Sequence, residues 1–153
     1  MYIISNNTVN NQEEKGRGVF LSIFSGMTWT QNQDKFGVWD ASGSTKTTDM
    51  YCEVKSRAIK SNEFYTTFLE VKKYNHLMNL ADLSPTGKAF YFVTFTDGVS
   101  YLYDLKKIEN IEIFRDQRLM KEVTLEGQTK MVMKDIYAIP LYAKMPGVIK
   151  YKS

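Results

Sequence analysis

The chain has 153 residues, 43% of them hydrophobic and 24% charged, with a formal net charge of +3. That balance is an ordinary globular one, with enough chain for a hydrophobic core in a single domain over 1–153. The slight positive charge is weak evidence for an anionic partner, and a normal solvated surface is the more usual reading. No basic region followed by a long apolar run opens the sequence, and no apolar stretch nears the roughly 20 residues of a membrane span, so neither a secretory signal nor a membrane helix is expected. The single Cys52 excludes an intramolecular disulfide and a multi-cysteine zinc site. Together these features suit an intracellular, cytoplasmic protein.

Residues 5–14 are a polar, Asn-rich lead-in. From about Gln12 the pattern is helical, with Val19, Phe20, Ile23, Phe24 and Met27 at three- and four-residue steps and Gly26 as a stop. Thr28 to Asp34 reads as a polar connection anchored by Trp29. Lys35 to Ala41 is the first predicted strand, and 50–56 is the second. The turn-forming run Ser42 to Asp49 between them makes an antiparallel hairpin with a long loop.

Arg57 to Asn62 is polar, and Glu63 to Leu69 reads as extended. The spacing predicts a helix over Val71 to Leu83, its apolar stripe being Tyr74, Leu77, Met78 and Ala81, with Lys72, Lys73, Asn75 and Asn79 off the stripe. Ser84-Pro85-Thr86-Gly87 ends it. Ala89 to Thr96, dense in Phe, Tyr and Val, is the strongest strand and is expected to be central and buried on both faces. Asp97-Gly98 is a hairpin turn into Val99 to Leu105. The pattern weakens from Lys106 to Gln128, where a short helix is expected near Arg115 to Lys121. Met131 to Ile139 reads as the last strand, ending at Pro140. The order implies an α/β or α+β fold, a sheet with helices packed on it.

Four acid-x-Lys triplets occur: Glu13-Glu14-Lys15, Glu53-Val54-Lys55, Glu70-Val71-Lys72 and Asp104-Leu105-Lys106. Only Glu53 lies on a strand that follows another strand tipped by an acid, Asp40. In an extended strand Glu53 and Lys55 share one face, while Cys52 and Val54 point to the other. Two carboxylates beside a lysine suit a divalent cation held next to a phosphodiester. Mg²⁺ takes oxygen ligands and keeps several waters, it lowers the pKa of bound water, and an adjacent ammonium offsets developing charge. The Val54 carbonyl is a further oxygen donor. The competing reading is a surface ion pair among Asp40, Glu53 and Lys55.

With Asp40, a thirteen-residue step and Glu53-Val54-Lys55, the sequence resembles the restriction-endonuclease-like PD-(D/E)xK nuclease superfamily. The order helix, motif hairpin, polar stretch, helix and aromatic strand extends the likeness over roughly residues 12 to 105. It is similar to archaeal Holliday-junction resolvases and to small phage-type nucleases. The resemblance implies a central mixed β-sheet flanked by helices, with Asp40 and Glu53 binding Mg²⁺ or Mn²⁺ and Lys55 assisting the attacking water. Where members add a first-helix glutamate, Glu13 is the candidate; Trp39 stands in place of the motif's proline. Glu70, Lys72 and Lys73 are candidates for positions beside the metal or on phosphate. Lys46, Arg57 and Lys60, with Lys72 and Lys73, are candidate DNA contacts.

The expected function is a metal-dependent endonuclease acting on DNA. The alternatives are a nucleic-acid-binding or assembly protein on the same fold without catalysis, and an interaction domain whose acid-Lys hairpin is a salt-bridged surface. Residues 106–153 form an extension that the motif does not need, a candidate for substrate specificity or for a two-fold homodimer.

Overall fold

The computed structural model describes residues 16, 18, 29–31, 41–44, 48–108, 114–122, 129–141 and 149–150. The strands are β1 (Trp29–Gln31), β2 (Ala41–Ser44), β3 (Asp49–Ser56), β4 (Thr66–Glu70), β5 (Lys88–Thr94), β6 (Val99–Asp104), β7 (Phe114–Lys121), β8 (Met131–Pro140) and β9 (Ile149–Lys150). The helices are α1 (Val71–Ala81) and α2 (Leu105–Ile108). Gly16 and Gly18 are also helical.

The run Tyr91-Phe92-Val93-Thr94 is buried on both faces, which places β5 inside a sheet. Its order is β1-β2-β3-β5-β6-β9. Strands β3 and β5 are parallel and the other pairs antiparallel, so the sheet is mixed. The parallel step requires a crossover, and α1 lies within it. Gly98, at φ 76°, turns the β5–β6 hairpin as its Asp-Gly signal implies.

The two faces of this sheet are different. On one, Tyr51, Glu53 and Lys55 sit beside Ala89, Tyr91 and Val93. Leu77 and Ala81 of α1 pack there with Tyr91, Val93 and Tyr103 in the main core. On the other face, a Cβ at Gly16 would lie 3.4 Å from Ser56 Cβ and 3.5 Å from Thr94 Oγ1, so the helical residue Gly16 rests against that side.

A second sheet, ordered β4-β8-β7, closes over α1. Leu69 of β4 and Ile139 of β8 join the core with Leu77. The Tyr137 ring meets Tyr74 of α1 edge-on at 5.0 Å. The stripe read from sequence faces inward as expected, and its fully buried Leu77 contributes about 1.5–3 kcal/mol.

Several expectations are corrected. Arg115 to Lys121 is strand β7, because it pairs along its whole length with β8; partner-strand hydrogen bonds outweigh a weak helical pattern. Ser42 to Ser44, read as turn, belong to β2 and pair with Asp49 to Tyr51, which shortens the hairpin loop. Trp29 to Gln31 is strand rather than connection. β8 is not the last strand, since β9 follows and pairs with β6. α1 stops at Ala81, where Asp82 N–H bonds Met78 O at 2.9 Å. The expected helix over Val19 to Met27 and the strand residues 35–40 lie outside the described residues.

Two glycines test this packing. A Cβ at Gly87 would come 1.9 Å from Ala81 O, the backbone at the end of α1. Gly87→Ala is expected to cost about 1–3 kcal/mol in urea unfolding, against about 1 kcal/mol for Gly98→Ala, whose penalty is the positive φ.

The loop after β3 is tied to the β5–β6 turn by Asp97. Its Oδ2 accepts from Ser61 Oγ at 2.7 Å and from Ser61 N–H at 3.2 Å. Burial pushes the Asp97 carboxyl up, but the Ser61 hydrogen bonds and nearby backbone N–H groups outweigh it and hold the carboxyl below its ordinary value of 3.8. A depressed folded pKa stabilises the fold above that ordinary value, and the contribution is lost as pH falls through the lower folded value. Melting temperature followed below pH 5 (roughly the upper edge of carboxylate titration) should fall less steeply in Asp97→Asn than in wild type.

Candidate active site

β3 carries the candidate site because strand alternation puts Glu53, Lys55 and Arg57 on one side of the chain. Glu53 is 3% exposed, beside Tyr91 in the parallel register. An ionised carboxylate at that depth needs a cation or strong hydrogen bonds. It has one: Lys73 Nζ, from the first turns of α1, is ion-paired with Glu53 Oε1. The lysine side chain stays 33% exposed while the glutamate's is 4% exposed, so the pair spans from the core to the surface. Lys55 is half-buried on the same face, two residues further along.

Arg57 turns inward. Its Nη2 donates to Phe68 O at 2.8 Å and to Tyr91 Oη at 3.2 Å, and its guanidinium lies 3.9 Å from the centre of the Phe68 ring. Tyr91 Oη donates to the same Phe68 carbonyl at 3.0 Å. This knot fastens the end of β3 to β4 and β5, which fixes the strand that carries Glu53. Glu70, at the N-cap of α1, pairs with Lys134 of β8 at 3.0 Å, so its carboxylate serves the second sheet. Lys60 and Lys72 are exposed.

The four triplets are now distinguishable by place. Among the described triplets, Glu53-Val54-Lys55 is the one that lies wholly within one strand. Glu70 and Asp104 each sit where a strand passes into a helix, and Asp104 Oδ1 accepts from Lys106 N–H at 3.2 Å. Glu13, Asp40 and Lys46 lie outside the described residues. The β2–β3 ladder is described as far as Ala41↔Cys52, one step in each strand from Asp40 and Glu53. Among the described residues no three His, Cys, Asp or Glu side chains gather in a way that holds a metal ion. Glu53 is a hard oxygen donor in a site that already binds a cationic group, which fits a hard divalent ion whose remaining ligands are water and phosphate.

Sequence reasoning placed Lys73 off the apolar stripe and missed its contact with Glu53. The signal was there: Lys73 is four residues before Leu77 and eight before Ala81, so all three share a helix face. The Arg57–Tyr91–Phe68 knot had no comparable signal, since it joins three strands distant in sequence.

The chain thus combines a mixed central sheet, a parallel crossover through α1 and a flanking second sheet. The chain is similar in structure to Hjc, a Holliday junction resolvase from the archaeal hyperthermophile Archaeoglobus fulgidus, with a TM-score of 0.55 and 13% identity over 90% of each chain. This shows a shared fold, the one expected from the Asp40 and Glu53-Val54-Lys55 pattern. No family model matches the chain, and neither does any curated protein sequence.

The ion pair makes a stability prediction. Lys73→Met removes one ion-pair partner of a buried carboxylate and should lose about 1–3 kcal/mol in urea unfolding, less than a fully buried pair because Lys73 reaches solvent. Adding Glu53→Gln should restore most of that loss in a double-mutant cycle. Strictly additive losses would mean that the two side chains do not interact.

Proposed function

We propose that this protein is a metal-dependent endonuclease that hydrolyses phosphodiester bonds in DNA, with branched DNA as the first substrate to try. The observation that carries the reading is the Glu53 carboxylate, 3% exposed, on the same strand face as Lys55 and neutralised by Lys73. A desolvated acid paired with Lys73, with Lys55 further along the same strand face, concentrates opposite charges where a phosphate and a hard cation would meet. The shared fold with a Holliday junction resolvase supports the same reading.

In this proposal Asp40 and Glu53 would hold Mg²⁺ or Mn²⁺, with the Val54 carbonyl and Glu13 as further candidate donors. The ion would supply Lewis-acid polarisation of the phosphate and a more acidic bound water. The protein's own groups do the rest. Lys55 orients the water and offsets negative charge developing on the phosphorane. Lys73, partly exposed beside Glu53, would contact the phosphate. Exposed Lys60 and Lys72, with Lys46, track the backbone. No helix of the described residues is long and apolar enough to cross a membrane, and we take the protein to act on DNA inside the cell.

A second reading rests on the same ion pair. An ammonium already occupies the cation position on Glu53, as suits a DNA-binding or assembly protein that never loads a metal. Cleavage of duplex, single-stranded and four-way branched DNA, with Mg²⁺, Mn²⁺ or chelator, separates the two. The nuclease reading expects metal-dependent cleavage that falls about 10²-fold or more in Glu53→Gln and in Lys55→Ala, with DNA binding retained. Unchanged cleavage in both variants would sink the assigned site. Salt-dependent DNA binding with no cleavage under any condition would favour the second reading.

A further inference from the structure

Parallel strands β3 and β5 end side by side, and the chain beyond them forms a shallow, open cleft of about 460 Å³. Ala58, Ile59, Lys60, Asn62, Glu63 and Thr96 line it. The crevice outside the carboxyl ends of parallel strands is where open sheets bind their ligands. Ala58 follows Lys55 by three residues, about 10 Å of extended chain, so the cleft borders the candidate site.

The backbone here is firmly held. Arg57 N–H donates to Thr94 O at 2.8 Å and Thr96 N–H to Ile59 O at 3.0 Å, while Ser61 is tied to Asp97. Past the cleft, Leu141 N–H donates to Tyr65 O at 3.0 Å. Phe64 and Tyr65, which continue the chain from Glu63, are nevertheless 57% and 93% exposed. Two adjacent aromatic side chains held in water on a fixed backbone, beside a cleft, mark an interaction site.

We propose that this cleft receives one unpaired DNA base, its ring stacked against the Phe64–Tyr65 pair and its exocyclic amine turned to Glu63. The inference rests on the proposed action on DNA and names the substrate feature the protein selects. Every base offers a π-face to an aromatic side chain, so stacking supplies affinity without reading sequence. The polar lining supplies the selection. Lys60, exposed at the rim, suits the flanking phosphate, and the Asn62 amide suits a base edge. Glu63 Oε2 accepts from Lys60 N–H at 3.2 Å; a carboxylate repels phosphate but accepts further bonds from an amine. Thymine has no exocyclic amine and fits worst. A paired base is stacked inside its duplex, so the cleft favours DNA with a base already unpaired, as at a bulge or branch point.

Fluorescence anisotropy on the full chain, with chelator or Ca²⁺ to hold back cleavage, tests this. The probes are a labelled duplex carrying one unpaired dC, dA or dT, and a fully paired duplex of the same length. Wild type should bind the dC and dA bulges about tenfold more tightly than the paired duplex, with dT weaker than both. Tyr65→Ala should abolish that advantage and leave paired-duplex affinity unchanged, whereas Tyr65→Trp should keep it. Glu63→Gln should bring dT level with dC, because an amide also donates to a base carbonyl. Equal binding of bulged and paired probes, equal binding of dT and dC by wild type, or a Tyr65→Ala loss shared by all probes would each overturn the inference. With paired-duplex binding and metal-dependent cleavage intact, any of these leaves the cleavage reading standing. Absence of binding to every probe overturns both.

Discussion

The contact between Glu53 and Lys73 is the constraint on which the rest of this structure depends. A carboxylate 3% exposed in a strand cannot be left without a counter-charge. The counter-charge comes from α1, so that helix must cross this face of the central sheet with its first turns over Glu53. The chain reaches that position only after β4 has left the central sheet to pair with β8. A pair that would be of little consequence on a surface thus links the placement of β3, β4 and α1.

The same arrangement explains why the second sheet exists. α1 offers apolar side chains over a wide arc: Leu77 and Ala81 to the central sheet, and Tyr74 to Tyr137 on β8. One sheet would leave part of that surface wet. Closing it with β4 and β8 buries Leu69, Ile136 and Ile139 and creates a seam that Arg57 fastens through Phe68 and Tyr91. The arginine beyond the motif lysine therefore steadies the strand bearing the site. Tyr103, deep in the same core, has its hydroxyl without a described partner; burial, with the neighbouring Tyr91 and Tyr101, raises its pKa, so the phenol stays neutral. The closure also leaves Leu119 and Met133 exposed together with the charged residues of β7.

The parts of the fold legible in the sequence were those whose signal is local. The α1 stripe has its own period, the Asp-Gly turn has its own backbone demand, and the doubly buried β5 shows as an unbroken run of Phe, Tyr and Val. The alternation that puts Glu53 and Lys55 on one face is equally local. The misses were long-range. Phe114 to Lys121 carries arginines, an aspartate and a glutamine that suit an exposed helix as well as a strand, and only the presence of β8 alongside decides between them. Ser42 to Ser44 look like turn residues and become strand because Asp49 to Tyr51 pair with them. The role of Lys73 was half legible, since its spacing from Leu77 is helical but its target lies on another element.

By itself the sequence determined a mixed α and β fold, the hairpin bearing Glu53-Val54-Lys55, and the inward face of α1, because side-chain periodicity follows from the geometry of an isolated helix or strand. Only the tertiary structure decided that the Glu53/Lys55 face, read from sequence as an equally plausible surface ion pair, is roofed by α1. It likewise decided that Glu53 is buried and holds Lys73. Burial and long-range charge pairing depend on which elements come together, and that depends on the whole core rather than on any one stretch of chain.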